Sequence, residues 1–342
     1  MICILSEAGL ESTTDQVMAW LRSWGMKCVR INGEDLESEQ KLVLSLNRKG
    51  MVAAIDIDGV TINPREVKVV WHRRWASRLR CRNFRVFHQR AGRIRNNNLS
   101  ALFHVGNEIQ TLGHFFFTVF DSAIWLGNPR AASVNKLSTL WEAARCGLDI
   151  PDTVVTNKKS VFQSLHDDHK ELITKAISDA PMWTFEHKGF ASYTHLLRRE
   201  DLDKYPDFVF PSLAQEALDK EYEIRTFALD GDFYSMAIFS QSSDATKTDF
   251  RIYQYEHPTR TVPYRLPEEI ETKLRILMAK LQLDTGSIDL IKTRDGRYVF
   301  LEVNPVGQFG MTSGPCNYQL EQKVAQALCT RYERAMNTVR TA

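Results

Sequence analysis

Three side chains with oxygen donors lie close together in the sequence near its C-terminal end. They are Asp289, Glu302 and Asn304, within residues 287–305, SIDLIKTRDGRYVFLEVNP. Carboxylate and amide oxygens are hard ligands, and this stretch has no Cys or His, so the set favours Mg²⁺ or Mn²⁺ over Zn²⁺. The alternative interpretation is a surface hairpin whose acids are solvated by water.

The register of a hairpin in this stretch would bring the three side chains together. Asp295-Gly296 is a strong signal for a two-residue type I′ turn, because both central positions of that turn need positive φ. Such a turn places Asp289 opposite Glu302, with Cβ atoms about 4.5–5.5 Å apart, and puts Asn304 on the same face. The other predicted cross-strand pairs are Arg294 with Arg297, Leu290 with Leu301 and Ile288 with Val303.

The composition is that of a globular protein large enough for two or three subdomains. The chain has 342 residues, of which 43% are hydrophobic and 25% charged. Its six cysteines show no CxxC or other close pairing, which favours a reduced cytosolic protein over a disulfide framework or a zinc site. No basic leader and no run of about 18 apolar residues is present. We therefore predict a cytoplasmic protein without a signal peptide or a membrane span.

A strongly basic block covers residues 65–95. It has ten Arg and one Lys against the single acid Glu66, a balance of +10 within a chain whose net charge is +2. Such a block suggests an acidic partner, either a carboxylate-rich peptide or a nucleic acid. The alternative is a solvated helix face that is compensated by acids elsewhere in the fold.

The N-terminal part alternates strand and helix patterns. Residues 1–5 read as a strand, residues 13–25 as an amphipathic helix and residues 27–32 as a second strand, which predicts a βαβ unit with a parallel sheet. A further strand is predicted at 68–75. Residues 108–127 read as one apolar helix, and their HFFFTVF run suits either a core or a contact between subunits of a homo-oligomer.

The remaining two thirds of the chain read as helices, strands and one weakly periodic segment. The predicted elements are a helix from 134 to Gly147, strands at 152–157 and 170–178, a hairpin or loop at 181–195, strands within 207–241 with a second hairpin turn at Asp230-Gly231, an amphipathic helix at 268–283, and a final helix at 319–336.

Several of these segments, in this order, resemble the ATP-grasp superfamily. The segment VNKLSTLWEAARCGLDIPDTVVTN resembles the opening of the ATP-binding module, and ITKAI resembles the strand that carries the second lysine. The segment AQEALDKEYEIRTFALDGDFYSMAI resembles the hinge and the hairpin that follows it, and residues 286–305 resemble the metal-binding segment. Within the superfamily, HRRW, DFRIY and LEVNPVGQFGMTSGPCNYQLEQKVA are most similar to the graspetide synthetases, which mature ω-ester or ω-amide-linked ribosomal peptides. The grasp-with-spasm branch is the most similar.

The resemblance implies a fold class and a division of the chain. We expect an α/β protein, α+β in its C-terminal part, with an ATP-grasp fold that follows an N-terminal βαβ pre-ATP-grasp domain. The implied parts are 1–125 with the basic region 65–95, 126–212 as the central subdomain with a phosphate lid, and 213–342 as the C-terminal subdomain with the metal hairpin.

The resemblance also implies a role for individual residues. Lysine charges offset the repulsion of a triphosphate, and the guanidinium fork suits a phosphate or an acyl phosphate. The implied ATP-binding residues are Lys136, Lys175, the hinge Gln215, Glu216, Ala217 and Leu218, and the ribose acid Glu223, with Glu221 as its alternative. Arg225 and Arg251 are the implied catalytic arginines. In the lid, His187 or Lys188 could contact phosphate, and the alternative is that each is only a loop residue. Asp289, Glu302 and Asn304 would hold two Mg²⁺ or Mn²⁺ ions.

The implied reaction joins two side chains of one precursor peptide. An Asp or Glu carboxylate attacks the γ-phosphate of ATP, and a Ser, Thr or Lys side chain then attacks the acyl phosphate. Because such a peptide carries acidic side chains, the basic block could attract it. The arginines that could steer or hold the peptide are Arg73, Arg74, Arg78 and Arg80. Arg74 could alternatively anchor the strand that it follows.

Three other interpretations are open. An ATP-grasp ligase that adds a free amino acid, such as glutamate, to a protein or peptide would share every nucleotide residue and differ on the acceptor side. A nucleic-acid-binding protein could use residues 65–95, although few aromatic residues interleave that block and the ATP motifs would be unexplained. A regulatory pseudoenzyme is disfavoured by the intact acids and lysines. We expect no nucleic-acid partner and no membrane partner.

Overall fold

A computed structural model describes most of the chain, whose residues form two compact units. Unit 1 is Met1–Ala132 with Gln319–Ala342, and unit 2 is Ser133–Tyr318. The described residues are 1–9, 11–37, 41–48, 50–57, 59–75, 99–169, 171–178, 182–185, 188–191, 194–242 and 259–341. None of the helices among them is long and apolar enough to cross a membrane.

Unit 1 is built on a four-stranded parallel sheet with the order β2-β1-β6-β7 and a three-stranded antiparallel sheet with the order β3-β4-β5. Elements are numbered along the chain. The strands are β1 (Ile2–Ser6), β2 (Cys28–Asn32), β3 (Lys41–Asn47), β4 (Gly50–Ile57), β5 (Val60–Ile62), β6 (Val69–His72) and β7 (Ile124–Leu126), and the helices are α1 (Ser12–Ser23), α2 (Leu99–Phe116) and α8 (Leu320–Thr341). The predicted βαβ unit and its parallel pairing are confirmed.

The helix α1 forms because its apolar residues share one face. Val17, Met18 and Leu21 are buried, and Val17 and Leu21 have the i, i+4 spacing of a helical stripe. Gly25 follows the helix with φ +74° and donates its N–H to Arg22 O, so the chain leaves in a conformation that favours glycine.

The C-terminal helix α8 belongs to unit 1 because it packs against α1, β6 and β7. The sequence-based division instead places residues 319–342 with the C-terminal subdomain. Leu320, Val324, Ala325 and Leu328 of this helix are buried, which is the amphipathic face that makes the contact. Sequence adjacency does not reveal which sheet such a face covers.

The single helix predicted over 108–127 is wrong. Helix α2 ends at Phe116, a 3₁₀ turn covers Phe117–Phe120, and β7 then pairs in parallel with β6. Phe116 and Phe120 are both buried with helical spacing, which explains why the pattern reads as one helix. The chain leaves β7 at Gly127, where φ is +77° and an added Cβ would lie 2.7 Å from His72 O, so the position requires glycine.

Unit 2 contains a four-stranded sheet with the order β12-β9-β13-β8, a five-stranded sheet with the order β16-β15-β14-β17-β18, and the hairpin β10-β11, with antiparallel pairing throughout. The strands are β8 (Thr153–Lys158), β9 (Leu172–Lys175), β10 (Met182–Phe185), β11 (Lys188–Ala191), β12 (His195–Leu197), β13 (Phe208–Glu216), β14 (Lys220–Leu229), β15 (Asp232–Ile238), β16 (Thr261–Tyr264), β17 (Thr285–Thr293) and β18 (Tyr298–Asn304). The helices are α3 (Lys136–Arg145), α4 (Lys159–His169), α5 (Arg199–Asp203), α6 (Glu268–Lys280) and α7 (Gly310–Cys316).

The five-stranded sheet is joined across its two edges by tyrosines. Tyr264 on β16 and Tyr298 on β18 have their hydroxyl oxygens 2.6 Å apart, and the Tyr222 hydroxyl of β14 donates to Tyr264 Oη at 3.3 Å. The predicted turn at Asp230-Gly231 is confirmed, since both residues have positive φ and Leu229 pairs with Asp232.

The hairpin β17-β18 keeps the predicted pairing at the acids and loses it near the turn. Asp289 lies opposite Glu302, as predicted, and Ile288 lies opposite Val303. The pairs predicted for Leu290 with Leu301 and Arg294 with Arg297 are wrong. Leu290 pairs with Phe300 across a register shift, and Thr293 bonds to Arg297 through its N–H.

Two irregularities in this hairpin cancel each other. Within 293–297 only Gly296 has positive φ, and its N–H bonds to Thr293 O, so the loop is one residue longer than a type I′ turn allows. The register shift between Leu290 and Asp289 adds an extra residue, Leu301, to β18. The second irregularity restores the register that the first one shifts.

Candidate active site

Three charged side chains form one row across adjacent strands of the five-stranded sheet. Arg225 of β14 pairs directly with Asp289 of β17, and Asp289 pairs directly with Glu302 of β18. Arg225 Nη1 donates to Asp289 Oδ1 at 2.9 Å and to Oδ2 at 3.0 Å. Directly opposed side chains share a face, so this row is a single charged surface on the sheet.

Lys136 completes the row from outside the sheet. It is the first residue of α3, whose N-terminus is capped by Asn135 Oδ1, which accepts hydrogen bonds from the N–H groups of Leu137 and Ser138. Lys136 Nζ lies 3.2 Å from Glu302 Oε2. Two cations therefore face two carboxylates, which offsets the repulsion that the two acids would otherwise have.

The two acids of this row could bind a divalent cation together with water and a bound phosphate. Asn304 lies opposite Ser287, two pairs along the ladder from Glu302, and its Oδ1 accepts from Val306 N at 3.1 Å. Among the described residues, no group of three or more His, Cys, Asp or Glu side chains could hold a metal ion by itself. Asp289 and Glu302 supply two hard oxygen ligands, and Mg²⁺ commonly takes one or two carboxylates and completes its shell with water and phosphate oxygens.

Arg225 retains a donor for an anion. Its Nε is buried and has no hydrogen-bond partner among the described residues, while its Nη2 donates to Gln308 O at 3.4 Å. The loop that carries Gln308 can approach because residue 307 is glycine: an added Cβ there would lie 2.5 Å from Ser287 Cβ. A buried unmet N–H of a guanidinium suits a phosphate or acyl phosphate oxygen.

Glu223 lies two residues from Arg225 on β14 and therefore on the same face. It is buried, and its Oε1 accepts from Lys220 Nζ at 2.7 Å and from Ser240 Oγ at 2.9 Å. Burial raises the pKa of the Glu223 carboxyl, and the Lys220 ammonium opposes that rise. Glu221, the alternative ribose acid, is exposed.

The four-stranded sheet of unit 2 places Lys175 and Gln215 on one face. Gln215 pairs with Ile173, and Leu213, two residues before it on β13, pairs with Lys175. The opposite face carries Ala214 and Leu172, which form a core with residues of the helices α4 and α5 and of β12: Phe162, Leu202 and Leu197. Lys175 and Gln215 thus lie away from those helices.

Two of the backbone N–H groups of the predicted hinge already donate hydrogen bonds within the protein. Glu216 N bonds to Asp152 O and Ala217 N to Glu171 O, so these two N–H groups are used within the fold. The N–H of Leu218 makes no hydrogen bond to another described residue. Leu218 is therefore the hinge position whose donor is available to a base.

His169 is a hinge residue that the sequence did not predict. It ends α4, with Nε2 3.1 Å from Asp152 Oδ2 and Nδ1 3.6 Å from Glu216 Oε2, and Glu216 Oε1 also accepts from Asp152 N. The side chain of Glu216 is thus held from two sides. These three residues are distant in the sequence, so no local pattern marks the contact.

The predicted lid contains a hairpin, as the sequence suggested. β10 and β11 pair over four positions, from Met182 with Ala191 to Phe185 with Lys188. His187 lies outside the described residues, as do Arg251, Arg78 and Arg80.

The two described arginines of the basic block are ion-paired within unit 1. Arg73 Nε lies 3.3 Å from Glu11 Oε2, and Arg74 contacts Glu7 Oε1 at 3.3 Å and Glu11 Oε1 at 3.2 Å. Arg73 is 3% exposed, and its burial lowers the pKa of its guanidinium to about 10. Both arginines follow β6 and hold its end to the segment after β1, which is the folding role that the sequence left open for Arg74.

A separate cavity lies within unit 1, between α1, β2 and the β4-β5 turn. Its volume is about 720 Å³, and its lining includes Met18, Met26, Arg30 and Ile57. It contains none of the predicted site residues.

Comparison with known proteins defines the fold. No protein-family model matches the sequence, and no curated protein matches it. Several solved structures match over nearly the whole chain. A RiPP-associated ATP-grasp ligase of Chryseobacterium gregarium, in complex with ADP and a leader and core peptide, is 22% identical, with 96% of each chain covered and a TM-score of 0.82.

Two macrocyclases of Microcystis aeruginosa MRC are also similar. MdnC, bound with the precursor peptide MdnA, is 23% identical with a TM-score of 0.80, over 96% of this chain and 99% of that one. MdnB is 24% identical with a TM-score of 0.73, over 96% and 98%. The chain therefore has the ATP-grasp ligase fold, as the sequence predicted.

Proposed function

We propose that the protein is an ATP-dependent peptide ligase that forms macrocycles in a ribosomal precursor peptide. The observation that carries the proposal is the row of Arg225, Asp289 and Glu302 with Lys136, because it combines cation ligands with donors for phosphate on one face. The known structures with the same fold support the peptide substrate, since those from Chryseobacterium and MdnC are complexes with leader, core or precursor peptides.

In the proposed reaction a peptide carboxylate attacks the γ-phosphorus of ATP, and ADP leaves. A Ser, Thr or Lys side chain of the same peptide then attacks the acyl carbon, and phosphate leaves as the ester or amide forms. No nucleophile of the protein is required, because positioning supplies most of the rate. Mg²⁺, held by Asp289, Glu302 and Asn304, would neutralise charge on the phosphate oxygens.

The charged row changes partners when nucleotide binds. In the structure, Lys136 and Arg225 contact the carboxylates that are proposed to hold the cation. On nucleotide binding we expect Lys136 and Arg225 to exchange these carboxylates for phosphate oxygens, with Lys175 as the second lysine. Arg225 Nε, which has no acceptor within the described part of the chain, would then gain one.

The base and the ribose would bind at the remaining predicted positions. The hinge Gln215 to Leu218 would contact the adenine, and Glu223 the ribose, for which it is better placed than the exposed Glu221. Of the arginines predicted to hold the peptide, Arg73 is better assigned to folding because it is buried. Arg74, Arg78, Arg80 and the second catalytic arginine, Arg251, stay predictions, as do the number of metal ions, a homo-oligomer and a cytoplasmic location.

The test is to incubate the protein with Mg²⁺, ATP and the product of a neighbouring short reading frame that is rich in Thr, Ser, Asp and Glu near its C-terminus. We expect ADP release and the loss of one water per linkage in the mass of the peptide. Gain of an amino-acid residue would instead support the free amino acid ligase. Nucleotide binding without turnover of any such peptide would support a pseudoenzyme, and absence of nucleotide binding would overturn the proposal.

A further inference from the structure

A strand edge without a partner borders the cavity of unit 1. In the described part of the chain, β2 pairs only with β1, so its other edge carries no ladder. The backbone groups on such an edge form a template for another strand, and folded proteins usually cover them. Here the cavity of about 720 Å³ runs along the edge, since its lining includes Cys28, Val29, Arg30 and Asn32 of β2.

The pairing with β1 identifies which backbone groups of β2 face the cavity. The N–H of Ile2 donates to Lys27 O at 2.9 Å, which sets the phase of the ladder. Hydrogen bonds in a parallel ladder fall on alternate residues of a strand, so Val29 and Ile31 are the next residues of β2 that bond to β1. The residues between them direct their N–H and C=O groups to the free edge.

Two residues of β2, Cys28 and Arg30, therefore present both a backbone donor and a backbone acceptor to the cavity. Asn32 is the next residue of this set, and its N–H donates to Asp35 Oδ2 at 2.7 Å, which closes the edge at that end. The Arg30 side chain is held beside the edge by Asp15, whose Oδ1 lies 2.7 Å from Nη1. The open part of the edge offers the alternating donors and acceptors that an added strand requires.

The walls of the cavity combine apolar surface with cations that lack an acid. Met18 and Met26 line it, and methionine adapts to apolar side chains of varied shape. Val60 on the opposite wall is 60% exposed. Arg22, which lies beside the Cys28 thiol, and Lys27 line one end, and neither has a carboxylate partner among the described residues. The cavity is therefore complementary to a segment with apolar and acidic side chains.

We propose that the free edge of β2 docks an extended segment of the precursor peptide as a fifth strand of the parallel sheet. Hydrogen bonds to the backbone of Cys28 and Arg30 supply affinity, and an acidic side chain of the segment lies beside Arg22 and Lys27. β2 has five residues, so a segment of about five residues covers it. The inference rests on the proposed function for the identity of the peptide and adds a docking site in unit 1.

Two synthetic peptides with a fluorescent label, Val-Glu-Val-Glu-Val and Val-Gln-Val-Gln-Val, are the probes for this site. In anisotropy titrations of the full chain without nucleotide, the acidic probe should bind about three- to tenfold more tightly, because two cations await an acid. Hydrogen exchange followed by mass spectrometry should then show two further protected amides within residues 27–32, those of Cys28 and Arg30. Absence of binding, equal affinity for both probes, or binding without this protection would overturn the inference.

Variants at Cys28 separate strand addition from contact through side chains alone. Cys28→Pro removes an N–H that faces the cavity, at the first residue of an edge strand, where proline is tolerated. It should weaken binding of the acidic probe about three- to tenfold. The matched control Cys28→Ser keeps the N–H and should bind as the wild type does, and equal affinity of the two variants would overturn the inference. If Cys28→Pro does not fold, Arg22→Gln combined with Lys27→Gln decides, since it should abolish the preference for the acidic probe.

Turnover distinguishes failure of this inference from failure of the proposed function. With ATP and the precursor, Cys28→Pro should raise the KM for the peptide about three- to tenfold and retain the affinity for ADP, because the edge contains no nucleotide residue. An unchanged KM would overturn the docking site and leave the proposed function intact. If the wild type turns over no peptide, the proposed function fails and with it the identity of the docked peptide, even where the probes bind.

Discussion

Replacing Glu302 by Gln should separate nucleotide binding from folding. In the structure, Glu302 Oε2 lies 3.2 Å from Lys136 Nζ, and at an effective dielectric constant of about 20 this attraction is about 5 kcal/mol. Asp289 is directly opposite, and two like charges about 5 Å apart repel by about 3 kcal/mol on the same scale. The side chains of Glu302 and Lys136 are 28% and 24% exposed, so water screens both effects further.

Because these effects oppose each other, we expect Glu302→Gln to change the free energy of unfolding by less than about 1 kcal/mol without nucleotide. With Mg²⁺ and ADP at about 100 times the dissociation constant, the wild type should gain about 2.7 kcal/mol. Losing one of two carboxylate ligands should weaken this binding about 100-fold, which leaves a gain of about 0.4 kcal/mol. Urea unfolding with and without Mg²⁺ and ADP measures both quantities.

The matched control is Asp232→Asn, an exposed acid at the far end of the β14-β15 hairpin. It should keep the full stabilisation by Mg²⁺ and ADP. If Glu302→Gln also keeps it, Glu302 does not bind the cation and the proposed mechanism fails. If the variant instead loses more than about 3 kcal/mol without nucleotide, its main role is in folding.

Three further predictions concern buried or positioning residues. Arg73→Met should destabilise the fold by about 1–3 kcal/mol in urea unfolding, because the buried Glu11 loses one of its two arginine partners and keeps Arg74; a loss below about 0.5 kcal/mol would argue against the folding role. Burial, with a smaller effect of Arg73, lowers the pKa of His72 to about 4, below the unfolded value of 6.5. The corresponding stability is present above pH 6.5 and is lost as pH falls toward 4, by about 2 kcal/mol at pH 5; His72→Phe should remove this part of the pH dependence, and an unchanged slope would contradict it. His169→Gln should raise the KM for ATP about tenfold with little change in kcat, because His169 holds Glu216 at the hinge; an equal fall in kcat would indicate a different role.

The sequence predicted the pairing of Asp289 with Glu302 for a reason that was partly wrong. The Asp295-Gly296 signal indicates a hairpin correctly, but it does not distinguish a two-residue turn from the longer loop in which only Gly296 has positive φ. The compensating extra residue at Leu301 has no local sequence signature. Alternation of polar and apolar residues near the acids was the more robust signal, since burial of Ile288 and Val303 fixes the register there.

Other features depend on contacts between distant parts of the chain. The period of Phe116 and Phe120 is helical, and only pairing with β6 shows that Ile124–Leu126 is a strand. Arg73 reads as part of a solvent-facing basic block until its burial against Glu11 is known. Gln215 Oε1 is buried without a hydrogen-bond partner among the described residues, and only the full set of neighbours reveals this.

The tyrosine hydroxyls give β18, the outermost strand of the five-stranded sheet, a further attachment. β18, which carries Glu302 and Asn304, is the last strand of the described five-stranded sheet, and beyond its ladder with β17 it makes one isolated bridge, between Val299 and Asp149. The end of such an outer strand can fray, and fraying here would let the spacing between the proposed cation ligands fluctuate. The contact of Tyr298 with Tyr264 ties the start of β18 to the strand at the opposite edge of the sheet, so the spacing of the proposed cation ligands is supported from the other end of the strand.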